Sequence, residues 1–141
     1  MRLSPPGWPR LSSALYYDDP LAAIDWLVAA FGFAVRVKIM DDGRLVHSEL
    51  TLDEAVVMVA SAHGDGPGQS PRALDGANTQ SLALYIDEVD DFTARAEAAG
   101  AVVLKPPTTT DYGPEWWSDR SVELADPEGH RWWFMQRLRT G

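Results

Sequence analysis

Apolar and polar positions along this chain predict a single order of elements, which then recurs. Residues 11–17 are rich in apolar and aromatic side chains and predict a strand. A helix with one buried face follows, because four apolar residues recur at intervals of three or four positions: Leu21, Ile24, Val28 and Phe31. Three more strand-like segments come next, at 33–39, 44–51 and 55–61.

The ends of this helix carry residues with known end preferences. Asp19 can cap the helix by accepting hydrogen bonds from free amide groups, and Pro20 suits the first position, which needs no amide donor. Gly32 ends the helix, since glycine tolerates the left-handed conformation there. The segment 41–43, Asp-Asp-Gly, predicts a hairpin between the next two strands.

The second half of the chain repeats this order at a constant offset of 68 residues. Residues 80–86 predict a strand, and Asp87 caps a helix that runs to Ala99, with Asp90 placed as in a capping box. Gly100 ends this helix. Three strands follow, at 101–105, 120–125 and 131–137. The matching pairs include Ser13 and Ser81, Tyr17 and Tyr85, Asp19 and Asp87, and Gly32 and Gly100.

Two stretches lie outside the repeat. Residues 62–79 are rich in glycine and proline without periodicity, which is typical of a linker. Residues 105–119 predict a loop that is longer than its counterpart at 40–43. It carries three aromatic residues: Tyr112, Trp116 and Trp117. We expect this loop to act as a lid over a cavity, as a dimer contact, or as an arm packed on its own domain.

Composition and charge exclude several classes of protein. The chain of 141 residues has 12 Lys and Arg against 21 Asp and Glu, a net charge of −9, so we expect no nucleic-acid partner. It contains no cysteine, which excludes disulfides, thiolate metal sites and cysteine nucleophiles. No apolar run reaches the length of a membrane helix or a signal peptide. We therefore expect a soluble, cytoplasmic protein with no membrane partner.

Two segments carry a family resemblance. They are Ala-Ile-Asp-Trp-Leu-Val-Ala-Ala-Phe-Gly-Phe at 23–33 and Asp-Pro-Glu-Gly-His-Arg-Trp at 126–132. Occurring in this order within two βαβββ modules, they resemble the glyoxalase/bleomycin-resistance/dioxygenase superfamily, also called the vicinal oxygen chelate superfamily. The resemblance covers nearly the whole chain, from about Leu11 to Arg137.

The resemblance implies an α+β fold in a single domain. Two tandem βαβββ modules would each form a curved mixed sheet, and together these would enclose a cavity with the helices outside. The first module would span about 10–61 and the second about 80–138, with the linker at 62–79 between them. The resemblance also favours a homodimer.

Metal-dependent members of this superfamily bind a divalent ion through ligands on the first and last strands of each module. The usual histidines would fall near 12–13 and 80–81, where the chain has serine or glutamine. The usual glutamate would fall near Trp133, and the matching segment 55–59 carries no carboxylate. Serine, tryptophan and valine are not the expected ligands, so we predict no cofactor, with an off-pattern divalent metal left open.

One polar strand face remains a candidate for chemistry. Along 46–51, alternation puts His47 and Glu49 on one face, and the repeat puts Glu123 on the equivalent face of the second module. If these faces line the cavity, the three side chains can bind an off-pattern metal, act as general acid and base, or hold a polar group of a ligand. Otherwise the face is simply solvated.

Six tryptophans suggest an aromatic-walled cavity that stacks on flat or cationic ligands. Trp132 and Trp133 must point to opposite sides of the last strand, and by family analogy Trp133 faces the cavity. The predicted ligand-binding residues are Tyr17, Tyr85, Tyr112, Trp116, Trp117 and Trp133. The alternative is that these large side chains fill the cavity themselves.

Three functions are therefore consistent with the sequence. The first is a metal-independent protein that binds an aromatic or planar small molecule, as in bleomycin resistance. The second is a glyoxalase-related lyase or isomerase that uses His47 with Glu49 or Glu123 and an unusual metal. The third is a catalytically silent member with a structural or regulatory role.

Overall fold

The computed structural model describes residues 1–141 and divides them into two compact units, Met1–Asp75 and Gly76–Gly141. The first unit contains β1 (Ser13–Tyr17), α1 (Pro20–Phe31), β2 (Ala34–Asp41), β3 (Arg44–Leu52) and β4 (Ala55–Ser61). The second contains β5 (Leu82–Tyr85), α2 (Val89–Ala98), β6 (Val102–Asp111), β7 (Ser118–Ala125) and β8 (Arg131–Arg139). The predicted βαβββ order is confirmed in both. Neither helix is long and apolar enough to cross a membrane.

Each unit has one mixed sheet of four strands, with the order β1-β4-β3-β2 in the first and β5-β8-β7-β6 in the second. The pairs β1–β4 and β5–β8 are parallel, and the remaining pairs are antiparallel. A parallel pair needs a long crossover connection, and that connection begins with the helix of the unit. The α+β fold of two tandem modules is therefore confirmed.

Helix α1 has the predicted ends. Asp19 is the N-cap and accepts a hydrogen bond from the Ala22 amide at 3.1 Å, while Gly32 closes the helix with φ of 81°. One predicted core residue was wrong, because Val28 is 40% exposed. The buried face is rotated and consists of Ala23, Ile24, Leu27, Ala30 and Phe31.

Strand alternation gives the first sheet a core face and a face without a helix. The core face carries apolar side chains that are at most 4% exposed: Leu15, Leu50, Val57 and Val59. Ser48 also lies there, and its hydroxyl donates to the Val59 carbonyl at 2.7 Å and accepts from the Val59 amide at 3.0 Å. His47 and Glu49 lie on the opposite side of β3, which we call the first helix-free face.

The core of the second unit forms between α2 and β8. Phe92 of α2 contacts Phe134 with ring centroids 4.2 Å apart, and the fully buried Trp132 stacks on Phe134 at 6.2 Å. The predicted Asp87 cap was wrong. Glu88 is the N-cap and makes no side-chain hydrogen bond to the helix, and the first amide, of Val89, donates to Gln136 of β8.

The structural repeat runs at an offset of 69 residues over its first strand and helix start, which corrects the predicted 68. The two N-caps, Asp19 and Glu88, are 69 positions apart. The same shift matches Tyr16, rather than Tyr17, with Tyr85. Because side chains alternate along a strand, a shift of one residue exchanges the two faces. Tyr17 is accordingly in the core, 1% exposed, while Tyr85 is 54% exposed.

The two stretches outside the repeat have more regular structure than predicted. Strand β6 continues to Asp111 and β7 begins at Ser118, so only residues 112–117 remain as the connecting turn. The pairing of Thr108–Asp111 with β7 forms much of what was predicted as a loop. The linker contains a short 3₁₀ helix, Pro71–Leu74, and its Gly68 lies so close to the Tyr16 ring that no side chain would fit between them.

Candidate functional site

Glu49 is the centre of a polar cluster on the first helix-free face. The indole Nε1 of Trp8 donates to both carboxylate oxygens of Glu49, at 3.0 and 3.2 Å. Nε of Arg36 lies 3.4 Å from one of these oxygens, and Nε2 of His47 lies 3.4 Å from the other. The Glu49 side chain is 12% exposed, and all three of these neighbours favour its ionised form.

These contacts lower the pKa of Glu49. The hydrogen bond from Trp8 contributes most, the partial burial of the carboxylate opposes it, and His47 and Arg36 add smaller lowering effects. Glu49 therefore stays ionised when the surrounding residues are in place. It acts here as a hydrogen-bond acceptor for an aromatic N–H group, a role that the sequence did not suggest.

The lowered pKa predicts how acid affects this contact. A carboxylate with a lower pKa in the folded state stabilises that state fully above the ordinary glutamate pKa of about 4.3, and loses this effect as the pH falls through the lowered value. We expect the Trp8 contact to be intact at neutral pH and to weaken only in more acidic solution. NMR of the Trp8 Nε1–H resonance during an acid titration measures this, with Glu49→Gln as the control that removes the titration. A resonance that moves equally in both proteins would contradict the prediction.

A second cluster lies on the side of β7 and β8 that faces away from α2, which we call the second helix-free face. Nε of Arg137 donates to Asp119 at 2.6 Å, and the Tyr85 hydroxyl donates to the other oxygen of Asp119 at 3.1 Å. Arg137 also donates to the Tyr85 hydroxyl through Nη2. The Asp119 carboxylate is nearly buried, so it fixes both partners in position.

Arg137 lies against two aromatic rings. The centre of its guanidinium is 4.9 Å from the ring centroid of Tyr85 and 5.3 Å from that of Trp117. The hydrogen bond to Asp119 contributes most to raising the pKa of Arg137 above its ordinary value, so the guanidinium remains charged. The arrangement holds a cation and two exposed aromatic side chains in a defined geometry.

The turn between β6 and β7 extends this aromatic surface. Trp117 lies 5.5 Å from Tyr112 and 6.0 Å from Trp116, measured between ring centroids. The Tyr112 amide donates to the Trp117 carbonyl at 2.9 Å, which closes the turn. All three rings are exposed by more than a third of their surface. The structure thus connects the predicted aromatic loop to β8 through Trp117 and Arg137.

Trp133 occupies the middle of the second helix-free face. It pairs with Glu123 across the strands, and Nζ of Lys105 lies 5.2 Å from its ring centroid. Glu123 is almost completely buried and forms an ion pair with Arg131. A carboxylate predicted for catalysis is therefore neutralised by a cation from the same sheet.

The structure distributes the predicted residues between the two units. His47 and Glu49 are together in the first, whereas Glu123 lies in the second, as do the five aromatic residues Tyr85, Tyr112, Trp116, Trp117 and Trp133. Tyr17 is in the core of the first unit, where Tyr16 occupies the helix-free side of β1. Their roles in catalysis and ligand binding stay predictions.

Sequence reasoning missed four residues of these clusters: Trp8, Arg36, Asp119 and Arg137. Trp8 lies before the first repeat, and its Pro-Pro-Gly-Trp-Pro context was the available signal for an ordered turn. Asp119 was missed because it was assigned to a loop. In the structure it pairs with Arg137 across β7 and β8, and that register could not be read from either segment alone.

The sequence model of the Glyoxalase/Bleomycin resistance protein/Dioxygenase superfamily matches residues 11–134. The chain belongs to this superfamily. An uncharacterized protein of Mycobacterium bovis is 33% identical to this superfamily member over 135 residues, which cover 93% of this chain and 85% of the relative. A protein of Mycobacterium tuberculosis H37Rv is also 33% identical, with 93% of this chain and 76% of the relative covered.

Solved structures agree with this assignment. TioX from Micromonospora sp. ML1 superposes with a TM-score of 0.71 at 28% identity, over 92% of this chain and 99% of TioX. A superfamily member from Sphaerobacter thermophilus DSM 20745 has a TM-score of 0.69 at 17% identity, over 89% of this chain and 94% of that one. At 17% identity, the likeness to the Sphaerobacter thermophilus protein shows the fold alone.

The residues of this chain do not fit the divalent ion that metal-dependent members hold. No group of three or more His, Asp or Glu side chains converges in the structure. Glu49 is engaged by Trp8 and Arg36, and Glu123 by Arg131. On β8, the resemblance places the usual carboxylate ligand near Trp133, whose indole has no acceptor atom for a cation.

Proposed function

We propose that this superfamily member binds a planar aromatic small molecule against the second helix-free face, without a metal ion. One observation carries the proposal. Arg137 is clamped by Asp119 and lies against the rings of Tyr85 and Trp117, both of which remain exposed. A flat ligand can stack on these rings while the guanidinium meets a polar or electron-rich group.

The exposure of these side chains supports a binding role. Tyr85, Tyr112 and Trp116 are each more than half exposed, and Trp117 is 37% exposed. A contiguous exposed aromatic surface is unfavourable in water and commonly marks a site for a ligand or a partner. The rings are also held by a buried carboxylate and a closed turn, so little order needs to be gained on binding.

The charged side chains of the second helix-free face support ligand binding without a metal ion. The Glu123 carboxylate is engaged by Arg131, and the lysine near Trp133 adds a positive charge that would repel a metal ion. Aromatic stacking and hydrogen bonds to Arg137, Lys105 and Tyr85 are then the available means of holding a ligand. Each favourable aromatic contact contributes roughly 0.5–2 kcal/mol.

A screen of planar aromatic compounds tests the proposal, with binding first detected by quenching of tryptophan fluorescence. Affinity for the best compound is then measured by calorimetry in Trp117→Leu and in the matched control Trp26→Leu. Both variants lose one tryptophan, but Trp26 packs against Phe31 in the first unit. We expect Trp117→Leu to weaken binding by about tenfold, the equivalent of one strong ring contact, and the control to retain affinity. The proposal fails if no compound binds or if the two variants behave alike.

A further inference from the structure

The chain before β1 carries a hydrogen-bonded turn that ends in Trp8. The Trp8 amide donates to the Pro5 carbonyl at 3.0 Å, and Gly7 adopts φ of 81°. Pro6 followed by a glycine with positive φ is the arrangement of a type II turn. The other large apolar side chains near this turn, Leu3 and Leu11, are almost fully exposed. Trp8 is therefore the apolar side chain of this segment that has a partner on the sheet.

The Trp8 indole is held by β2 and β3 through three kinds of contact. Glu49 of β3 accepts its Nε1–H group, and the guanidinium of Arg36 on β2 lies 4.0 Å from the centre of its ring. Nη1 of Arg36 also donates to the Gly7 carbonyl at 2.5 Å. These contacts recognise a flat ring, an N–H donor in the plane of that ring, and one carbonyl oxygen.

Both groups that recognise the indole belong to the sheet. With Trp8 in place, the Glu49 and Arg36 side chains are 12% and 22% exposed, and they also contact each other. Arg36 approaches Glu49 directly, and His47 lies on the other side of the carboxylate. The two recognition groups thus stand on β2 and β3 and contact each other, whereas Trp8 reaches them from a segment before β1.

We propose that Glu49 and Arg36 form a binding site for a planar aromatic compound with a ring N–H donor, and that Trp8 occupies this site as a tethered internal ligand. A free compound of this class must displace Trp8 to bind. Because a tethered group competes at a high effective concentration, removal of Trp8 should raise the affinity for the free compound. This site belongs to the first unit and does not depend on the ligand proposed for the second.

Indole and 1-methylindole are the matched probes, since they differ in the N–H donor. Calorimetry on the full chain compares the wild-type protein, Trp8→Ala and the double variant Trp8→Ala/Glu49→Gln. We expect Trp8→Ala to bind indole at least about tenfold more tightly than the wild type. In Trp8→Ala we expect 1-methylindole to bind about tenfold more weakly than indole, and the double variant to lose a similar factor for indole.

A second measurement keeps the test decisive if Trp8→Ala folds poorly. In the wild-type protein, indole should move the Nε1–H resonance of Trp8 toward the position of solvent-exposed tryptophan, and the same concentration of 1-methylindole should move it less. Equal affinity of indole for the wild type and Trp8→Ala would overturn the proposal, since Trp8 would then only anchor the chain. Equal binding of the two probes, or an unmoved Trp8 resonance, would also overturn it.

Discussion

Replacing Asp126 with alanine is expected to lower the free energy of unfolding by about 3 kcal/mol. The Asp126 carboxylate accepts hydrogen bonds from the amides of Glu128 and His130, at 3.1 and 3.0 Å, and from Nε1 of Trp132 at 3.2 Å. All of these groups are buried. Alanine would leave several buried donors without an acceptor, and each such group costs about 1–3 kcal/mol.

Asp90→Ala is the matched control for this measurement. Asp90 lies in the same unit and pairs with Arg120 at 2.9 Å, but its side chain is 65% exposed. Exposed ion pairs contribute little to stability, so the urea midpoint of this variant should stay close to that of the wild type. Equal losses in the two variants, measured by urea unfolding of the full chain, would show that the Asp126 network is not the source of the effect.

The Asp126 network also matters for the proposed site. It closes the turn from β7 into β8, where Gly129 donates its amide to the Asp126 carbonyl at 2.9 Å. The turn fixes the register in which Glu123 pairs with Trp133 and Asp119 with Arg137. A variant with a loosened turn should therefore lose ligand affinity together with stability.

Trp133→Ala is expected to weaken binding of the aromatic ligand by about tenfold or more, whereas His47→Ala should leave the affinity unchanged. Trp133 lies in the middle of the second helix-free face, next to Lys105, and offers a large ring surface. His47 is in the first unit, where it contacts Glu49. Calorimetry with the best compound from the screen measures both variants, and Trp133→Phe is the control that keeps an aromatic ring.

The opposite result would change the interpretation of the protein. If His47→Ala abolished an activity or binding event that Trp133→Ala left intact, the pair of His47 and Glu49 would be acting as acid and base. Trp133→Phe should retain most of the affinity, because stacking needs a ring and not the indole N–H. A loss in Trp133→Phe equal to that in Trp133→Ala would indicate that the indole N–H is recognised instead.

The order of elements and the ends of the first helix could be predicted because they depend on neighbours in sequence. Asp19 accepts a hydrogen bond from an amide of the first turn, Pro20 is the first helical residue, and Gly32 ends the helix in the left-handed conformation. Each has the predicted role. The second helix was less predictable. Its N-cap is Glu88 and not Asp87, and its first amide, of Val89, donates to Gln136, which is 47 residues away in the chain.

The faces of the strands were harder to predict than the strands themselves. The alignment of identical residues matched Tyr17 with Tyr85, but in the structure the two modules are shifted by one residue relative to that alignment. A shift of one residue along a strand is enough to exchange its core face and its exposed face. The ion pair of Asp119 and Arg137 could not be predicted either, because cross-strand partners depend on the strand register. The contacts of Trp8 were not predicted for another reason, since its partners on β2 and β3 are far from it in the sequence.

The sequence by itself determined the superfamily, the two βαβββ modules and the absence of the usual metal ligands, since all of these follow from residue identity and local spacing. Only the tertiary structure decided which side chains meet. It joined Glu49 to Trp8 and Arg36, and it joined Asp119 to Arg137, Tyr85 and Trp117. Such contacts form between segments that are distant in the chain, and the packing and register that bring them together are properties of the whole fold.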